Sequence, residues 1–292
     1  MGGKDSPRSD TAILLISCPD RQGIIASVTR YIHENKGNVV DLEQHVDPGE
    51  KFFFMRIEWE LGGFAMSLEA FREEFQKAIG EPFGMGWKLH STAETQRMAV
   101  FASTSSHCLH DILSRYQAGE WKVEIPLIVS NHETLEGAAA AACVDFRHFP
   151  VTAETKRAQE RRQIALLKER RIDLVVLARY MQVLSDDFVN EFPERIINIH
   201  HSFLPAFPGA KPYHSAYERG VKIIGATSHY VTADLDAGPI IEQDVARVSH
   251  VDSVEDMMRK GRDLEKVVLS RAIWSHLNRK TLVFRNRTIV FV

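Results

Sequence analysis

The chain has 292 residues, 44% of them hydrophobic, enough to bury a substantial core, and the length favours two domains. Lysine and arginine number 36 against 39 aspartates and glutamates, a net charge of −3 with no basic stripe, which argues against a nucleic-acid partner and leaves small anionic substrates open. The three cysteines, Cys18, Cys108 and Cys143, are widely separated with no CxxC pair, so neither a disulfide framework nor a thiolate zinc site is expected and a reducing cytoplasm fits.

In chain order, the polar opening MGGKDSPRSD lacks an apolar h-region, and residues 1–10 read as a flexible lead-in. No later stretch approaches the roughly 18 uncharged apolar residues of a membrane span, so no membrane association is expected. TAILLIS is a short strand, and CPDRQG turns it into a helix with Ile24, Val28, Tyr31 and Ile32 at helical spacing, stopped by Gly37. NVVDLEQHV and FFFMRIEWE alternate about a DPGE turn, which predicts a hairpin with Val40, Leu42 and Val46 on one face and Phe53, Met55, Ile57 and Trp59 together. Ser67 can cap a second helix carrying Leu68, Phe71, Phe75 and Ala78, and a strand with Met85, Trp87 and Leu89 completes a βαββαβ order over residues 11–90. That order is the ferredoxin-like unit, an antiparallel sheet with two helices on one face.

The PDRQG turn (Pro19 to Gly23) and the Gly37, Asn38 pair opening the second strand resemble the ligand loops of ACT domains, the amino-acid-sensing modules. The resemblance implies Asp20, Gly23 and Asn38 as regulatory contacts and, because such modules pair, a homo-oligomer. Read without it, Gly23 and Gly37 are a turn and a helix cap.

HSTAETQR is polar and aperiodic, so residues 91–97 read as a linker. Beyond it MAVFAS, VEIPLIVSN, DLVVLA and RIINIH are apolar runs separated by helical stretches. Strands alternating with helices predict an α/β domain with a mainly parallel sheet over residues 98–292. RIINIH delivers its last residues to the carboxyl edge, where open α/β sheets place their sites.

Along that strand Asn198 and His200 share one face, while Ile199 and His201 take the other. An amide and an imidazole aimed into one cleft suit attack on a carbonyl: both can donate to a developing oxyanion, and the imidazole can move a proton. The run GATSHYVTADLDAGPII adds His229 on a strand and Asp236 on the loop after it, with Gly238 permitting close approach. Asp236 could equally be a turn residue. A zinc site from His200, His201, His214, His229 and Asp236 is the second alternative, disfavoured because His200 and His201 diverge and no HxH or HExxH spacing is present. No GxSxG elbow exists, and Cys143 lies in an Ala-rich stretch that reads as buried.

Taken together, NIHHSFLPAFPGAKPYHSAYERG and GATSHYVTADLDAGPIIEQD resemble the signature of folate-dependent formyltransferases, carried by Asn198, His200, Ser202, Leu204, Pro205, Asp236 and Gly238. The resemblance implies a Rossmann-like domain with a 10-formyl-tetrahydrofolate site, no metal and no cofactor. By the same carry-over Asn198 and His200 stabilise the tetrahedral intermediate, Asp236 accepts a proton through water, and His229 and Gly238 support them. Met181, Val183 and Leu184 would line the folate pocket with Thr232 and Leu235 opposite, where core packing is the plainer explanation for each apolar side chain. One stretch departs from the pattern. Where the transferase acting on glycinamide ribonucleotide has a Gly-rich phosphate-binding turn, Ser103 to Asp111 reads STSSHCLHD, without glycine. A formyl donor site without an organic acceptor site implies water as acceptor. The resemblance is therefore to the family's hydrolytic branch, which balances one-carbon pools and supplies formate for purine synthesis, with methionine and glycine as opposing effectors. A transferase to an amine, or a non-catalytic folate or amino-acid sensor, are the alternatives.

Overall fold

The computed structural model describes residues 10–206 and 212–292, so all but Asp10 of the expected lead-in lies outside the described residues. The chain divides into two compact units, one running to Thr95 and including Ile289–Val292, the other Gln96–Thr288. The division falls inside the stretch read as a linker, while the last four residues, read with the second domain, group with the first.

The first unit contains β1 (Thr11–Pro19), α1 (Ile24–Glu34), β2 (Asn38–Asp47), β3 (Phe52–Glu60), α2 (Leu68–Phe75), the short α3 (Glu81–Phe83) and β4 (Gly86–Ser91). The strands pair antiparallel in the order β2-β3-β1-β4. Alternation explains the core: Ala12, Leu14, Ile16 and Cys18 share a face with Phe53, Met55, Ile57 and Trp59, and Ile24, Val28 and Ile32 of α1 and Phe71 and Phe75 of α2 cover it. Ser67 caps α2, its hydroxyl accepting from the Ala70 N–H.

Three local readings change, one of them in the second unit, where Cys143, read as buried, is exposed at the turn after the Ala-rich helix. The β2–β3 register shifts between Val39 and Asp41, so Val40 is a bulge residue and 49% exposed, while Leu42 and Val46 stand opposite Ile57 and Phe53. Lys36, not Gly37, takes the left-handed position after α1 (φ 62°). Glycine is required at 37 for space, since a Cβ there would collide with the Ile32 side chain.

The second unit runs β5 (Gln96–Ala102), α4 (His107–Gln117), β6 (Val123–Ser130), α5 (Glu136–Ala141), β7 (Asp145–His148), α6 (Lys156–Glu169), β8 (Leu174–Leu177), α7 (Asp186–Glu191) and β9 (Ile196–His200). It continues through α8 (Pro212–Arg219), β10 (Ile223–Tyr230), β11 (Ile240–Arg247) and α9 (Val254–Leu277) to a two-stranded sheet of β12 (Thr281–Phe284) and β13 (Arg287–Val290), whose end belongs to the first unit. The main sheet has the order β11-β10-β9-β8-β5-β6-β7, with β7, β6, β5, β8 and β9 parallel and β10 antiparallel to both its neighbours. From central β5 the chain moves out through β6 and β7, then returns to the other side at β8. The switch between β5 and β8 is where such sheets open a crevice at their carboxyl edge.

Core lies on both faces. Ile197 and Ile199 pack with Val268, Leu269 and Ala272 of α9 on one side, and Ile196 packs with Leu167, Phe188 and Val189 of α6 and α7 on the other. No helix among the described residues is long and apolar enough to cross a membrane. The longest helix, α9, begins in a capping box in which Ser253 and Asp256 each bond the other's backbone N–H. Ser253→Ala is expected to remove about 1 kcal/mol, a fall of roughly 2–4 °C in the thermal unfolding midpoint read by circular dichroism.

Candidate active site

Strand pairing assembles the polar groups. In the antiparallel ladder of β9 and β10, Asn198 stands opposite His229 and Thr227 opposite His200, so all four side chains share one face. The Asn198 Nδ2 amino group donates to His229 Nε2 at 3.2 Å. His229 Nδ1–H donates to the Tyr230 carbonyl at 2.9 Å, which leaves Nε2 as the acceptor that Asn198 needs. Thr227 Oγ1 donates to the Ser202 carbonyl and accepts from the Leu204 N–H, fixing the chain as it leaves β9.

Asp236 enters from the loop after β10. Its Oδ2 lies 3.2 Å from His200 Nδ1, and its Oδ1 lies 3.7 Å from His229 Nε2. The carboxylate thus sits between two imidazoles and bonds directly to His200. His200 is buried, and its second ring nitrogen, Nε2, has no hydrogen-bond partner among the described residues. An imidazole oriented by a carboxylate on one side and left without a partner on the other has a ring nitrogen available for a reacting group.

Backbone conformation holds the loop. Asp236 adopts the left-handed region (φ 54°), which a short polar side chain tolerates. The Tyr230 N–H donates to the Pro239 carbonyl at 2.9 Å, and a Cβ on Gly238 would collide with the Tyr230 carbonyl oxygen. Gly238 therefore admits the chain's own backbone; the close approach expected for substrate is made by Tyr230.

The His200 hydrogen bond first, then the nearby His229 ring, hold the Asp236 carboxyl well below the usual carboxylate range, against the upward push of burial. A depressed folded value stabilises the fold above the unfolded value, about pH 4, and the contribution fades as pH falls toward the folded value. The stability difference between the wild type and Asp236→Asn is accordingly expected to be full at neutral pH and to shrink below about pH 4, as urea-unfolding midpoints across that range will show.

These groups face a cleft of about 410 Å³ lined by Asn198, His200, His229 and Asp236 together with Met181, Val183, Leu184, Thr232 and Leu235. Met181, Val183 and Leu235 are 56%, 53% and 67% exposed, so they are cleft surface rather than core. Leu184 is 8% exposed and packs in the core with Phe188, so it serves both. Ser103, at the end of β5, accepts from the Met181 N–H and donates to Asn131 Oδ1, and Glu160 accepts from the Ser185 N–H. Both ends of the 181–185 segment are thereby anchored.

Sequence reasoning missed Arg179, which lines the cleft just past β8, and Ser103; their position at the carboxyl ends of strands was the available signal. The histidines and Asp236 considered for zinc do not converge as ligands among the described residues; the group that does is His107, Cys108 and Glu265. Asp20, Gly23 and Asn38 are exposed, and within one chain they stand apart. The Asp20 N–H donates to Lys51 beside the start of β3, whereas Asn38 pairs with Glu60 at its other end.

Comparison with known proteins gives the family of both units. Residues 96–273 match the Formyl transferase family and residues 12–80 the ACT domain family. A formyltetrahydrofolate deformylase of Synechocystis sp. is 53% identical over 96% of this chain and 98% of its own, and that of Bacillus subtilis is 44% identical over 97% and 94%. The crystal structure of a formyltetrahydrofolate deformylase from Pseudomonas syringae superposes with a TM-score of 0.95 at 44% identity, covering 98% of this chain and 96% of that one. Glycinamide ribonucleotide transformylase 1 from Symbiobacterium toebii matches more remotely, with a TM-score of 0.65 at 32% identity over 70% of this chain and 98% of that one. Full-length similarity of this degree, across both units, makes the chain a member of the formyltetrahydrofolate deformylase family.

Proposed function

We propose that this protein hydrolyses 10-formyl-tetrahydrofolate to formate and tetrahydrofolate. The observation that carries the reading is Asp236, held between His200 and His229 on the wall of a cleft whose exposed apolar side chains suit a pteridine ring. Water attacks the formyl carbon and its proton passes to the Asp236–His200 pair. The amide of Asn198 has two N–H donors; one is engaged by His229 and the other is free to meet the oxyanion. Collapse of the tetrahedral intermediate breaks the bond from carbon to N10, which leaves with a proton returned by the same pair. No metal or redox cofactor enters these steps.

Transfer to an amine is the weaker reading, because the first turn of α4, from His107, supplies no glycine-rich cradle for an acceptor. We assign the ACT unit to regulation in the cytoplasm, with methionine and glycine as opposing effectors. Their sites form between paired modules of a homo-oligomer, since one chain does not bring Asn38 to Asp20 and Gly23.

The test is formate release by purified protein from 10-formyl-tetrahydrofolate, with chelator present and no amine acceptor. Release supports the hydrolase. Turnover seen only with an added amine would establish a transferase instead. Rates indifferent to methionine and glycine would remove the effector assignment.

A further inference from the structure

Beneath the cleft segment that follows β8, helix α6 buries two polar side chains that the steps above leave unused. Glu160 is 5% exposed and Gln163 fully buried, and they stand about one turn apart on the face of α6 that carries Leu167 into the core. Glu160 Oε1 accepts from the Ser185 N–H at 3.1 Å. Gln163 Nε2 lies 3.4 Å from the hydroxyl oxygen of Tyr180, whose ring meets Phe101 edge-on. The two contacts fall at opposite ends of the segment 180–185.

Two acceptors between those contacts are orphaned. Glu160 Oε2 and Gln163 Oε1 are buried and have no hydrogen-bond partner among the described residues. Buried oxygens rarely stand alone, and the oxygen and nitrogen of an amide exchange places by a half-turn. With the Gln163 oxygen toward Tyr180, the hydroxyl donates to it, and the amino group is released toward Glu160, its neighbour three residues earlier on the helix. Both orphaned oxygens then gain a donor, and one chain of hydrogen bonds runs from the Tyr180 hydroxyl through Gln163 and Glu160 to the Ser185 N–H. Burial first, with the Glu160 charge adding to it, pushes the Tyr180 hydroxyl up, so it keeps the proton it donates.

We propose that Gln163 is a positioning residue for the folate substrate: its carboxamide ties the Tyr180 hydroxyl to the Glu160 carboxylate, so that α6 holds both ends of the 180–185 segment through one buried network. The inference rests on the hydrolytic reading above. Gln163 does not itself line the cleft and acts through what it holds. Met181 and Val183 stand exposed on the cleft between the two anchors, and the Ser103 hydroxyl fixes the Met181 N–H from the end of β5. Apolar side chains on a segment fixed at both ends are already in place for a flat ring, so less freedom is lost when it binds.

Gln163→Met keeps the length of the side chain and removes both hydrogen-bonding groups. In formate release from 10-formyl-tetrahydrofolate by the full-length protein, it is expected to raise KM about tenfold while kcat changes less than about twofold. Calorimetry is expected to show tetrahydrofolate bound about tenfold more weakly. Tyr180→Phe is expected to move both quantities in the same direction, and the double variant to lose no more than Gln163→Met alone, because the groups form one network. A side chain that merely filled space would lower the thermal unfolding midpoint and leave KM and tetrahydrofolate affinity native; that result, or losses that add, would overturn the proposal. Should Gln163→Met not fold, Tyr180→Phe, which sheds one hydroxyl, carries the test. A wild type that released no formate would defeat the hydrolytic reading, while the tetrahydrofolate titrations would still decide the role of Gln163.

Discussion

Asp236→Asn is expected to lower kcat for formate release by about 10²–10³, roughly 2.7–4 kcal/mol of transition-state stabilisation, with little change in KM. Asparagine fits the same space, and its carbonyl oxygen can still accept from His200 Nδ1, so the cleft keeps its shape. What disappears is the charge that orients His200 and that, in the proposed mechanism, receives the proton of the attacking water. The effect therefore falls on the chemical step, and His200→Ala, which removes the other half of the pair, is expected to cost no less. The two losses should not add, because the groups act as a unit. Near-native turnover in Asp236→Asn, with folding verified by circular dichroism, would show that the chemistry is carried elsewhere.

Gly238→Ala is expected to abolish most activity although Gly238 does not itself line the cleft. Its Cβ would collide with the Tyr230 carbonyl, a backbone atom of β10 that cannot swing aside as a side chain can. The loop must lift, and with it Asp236, two residues earlier. Overpacking of this kind removes about 1–3 kcal/mol of stability. A displacement near 1 Å at a catalytic group can lower turnover about 10²-fold. Steady-state kinetics and a thermal melt on one preparation separate the two effects. A variant with native kinetics and a native midpoint would mean that the loop has slack the geometry does not suggest.

Periodicity made much of this site readable. A two-residue repeat puts Asn198 and His200 on one face, and the apolar runs mark β5, β6, β8 and β9. Features that leave no periodic trace were not readable. Strand β7 is four residues of mixed polarity, and the bulge at Val40 changes no composition. That β10 runs antiparallel to β9, bringing His229 opposite Asn198, is a matter of connection rather than residue type. The direct bond from Asp236 to His200 depends on how the loop folds back, which Gly238 permits but does not announce. Glu160 and Gln163 did carry a signal: they lie seven and four residues before Leu167, two polar side chains on the buried stripe of α6, easily taken for surface residues.

The grouping of Ile289–Val292 with the first unit bears on how the chain folds as it is synthesised. The first unit is otherwise complete at Thr95, yet its last members follow 289 − 95 = 194 residues later. At roughly 5–20 residues per second, the interval is about 10–40 s. For that time the nascent βαββαβ unit lacks the Val292 N–H that bonds to Glu43 of β2. The ACT unit is thus the first to be made and the last to be finished, and its final closure reports that the catalytic unit has been synthesised.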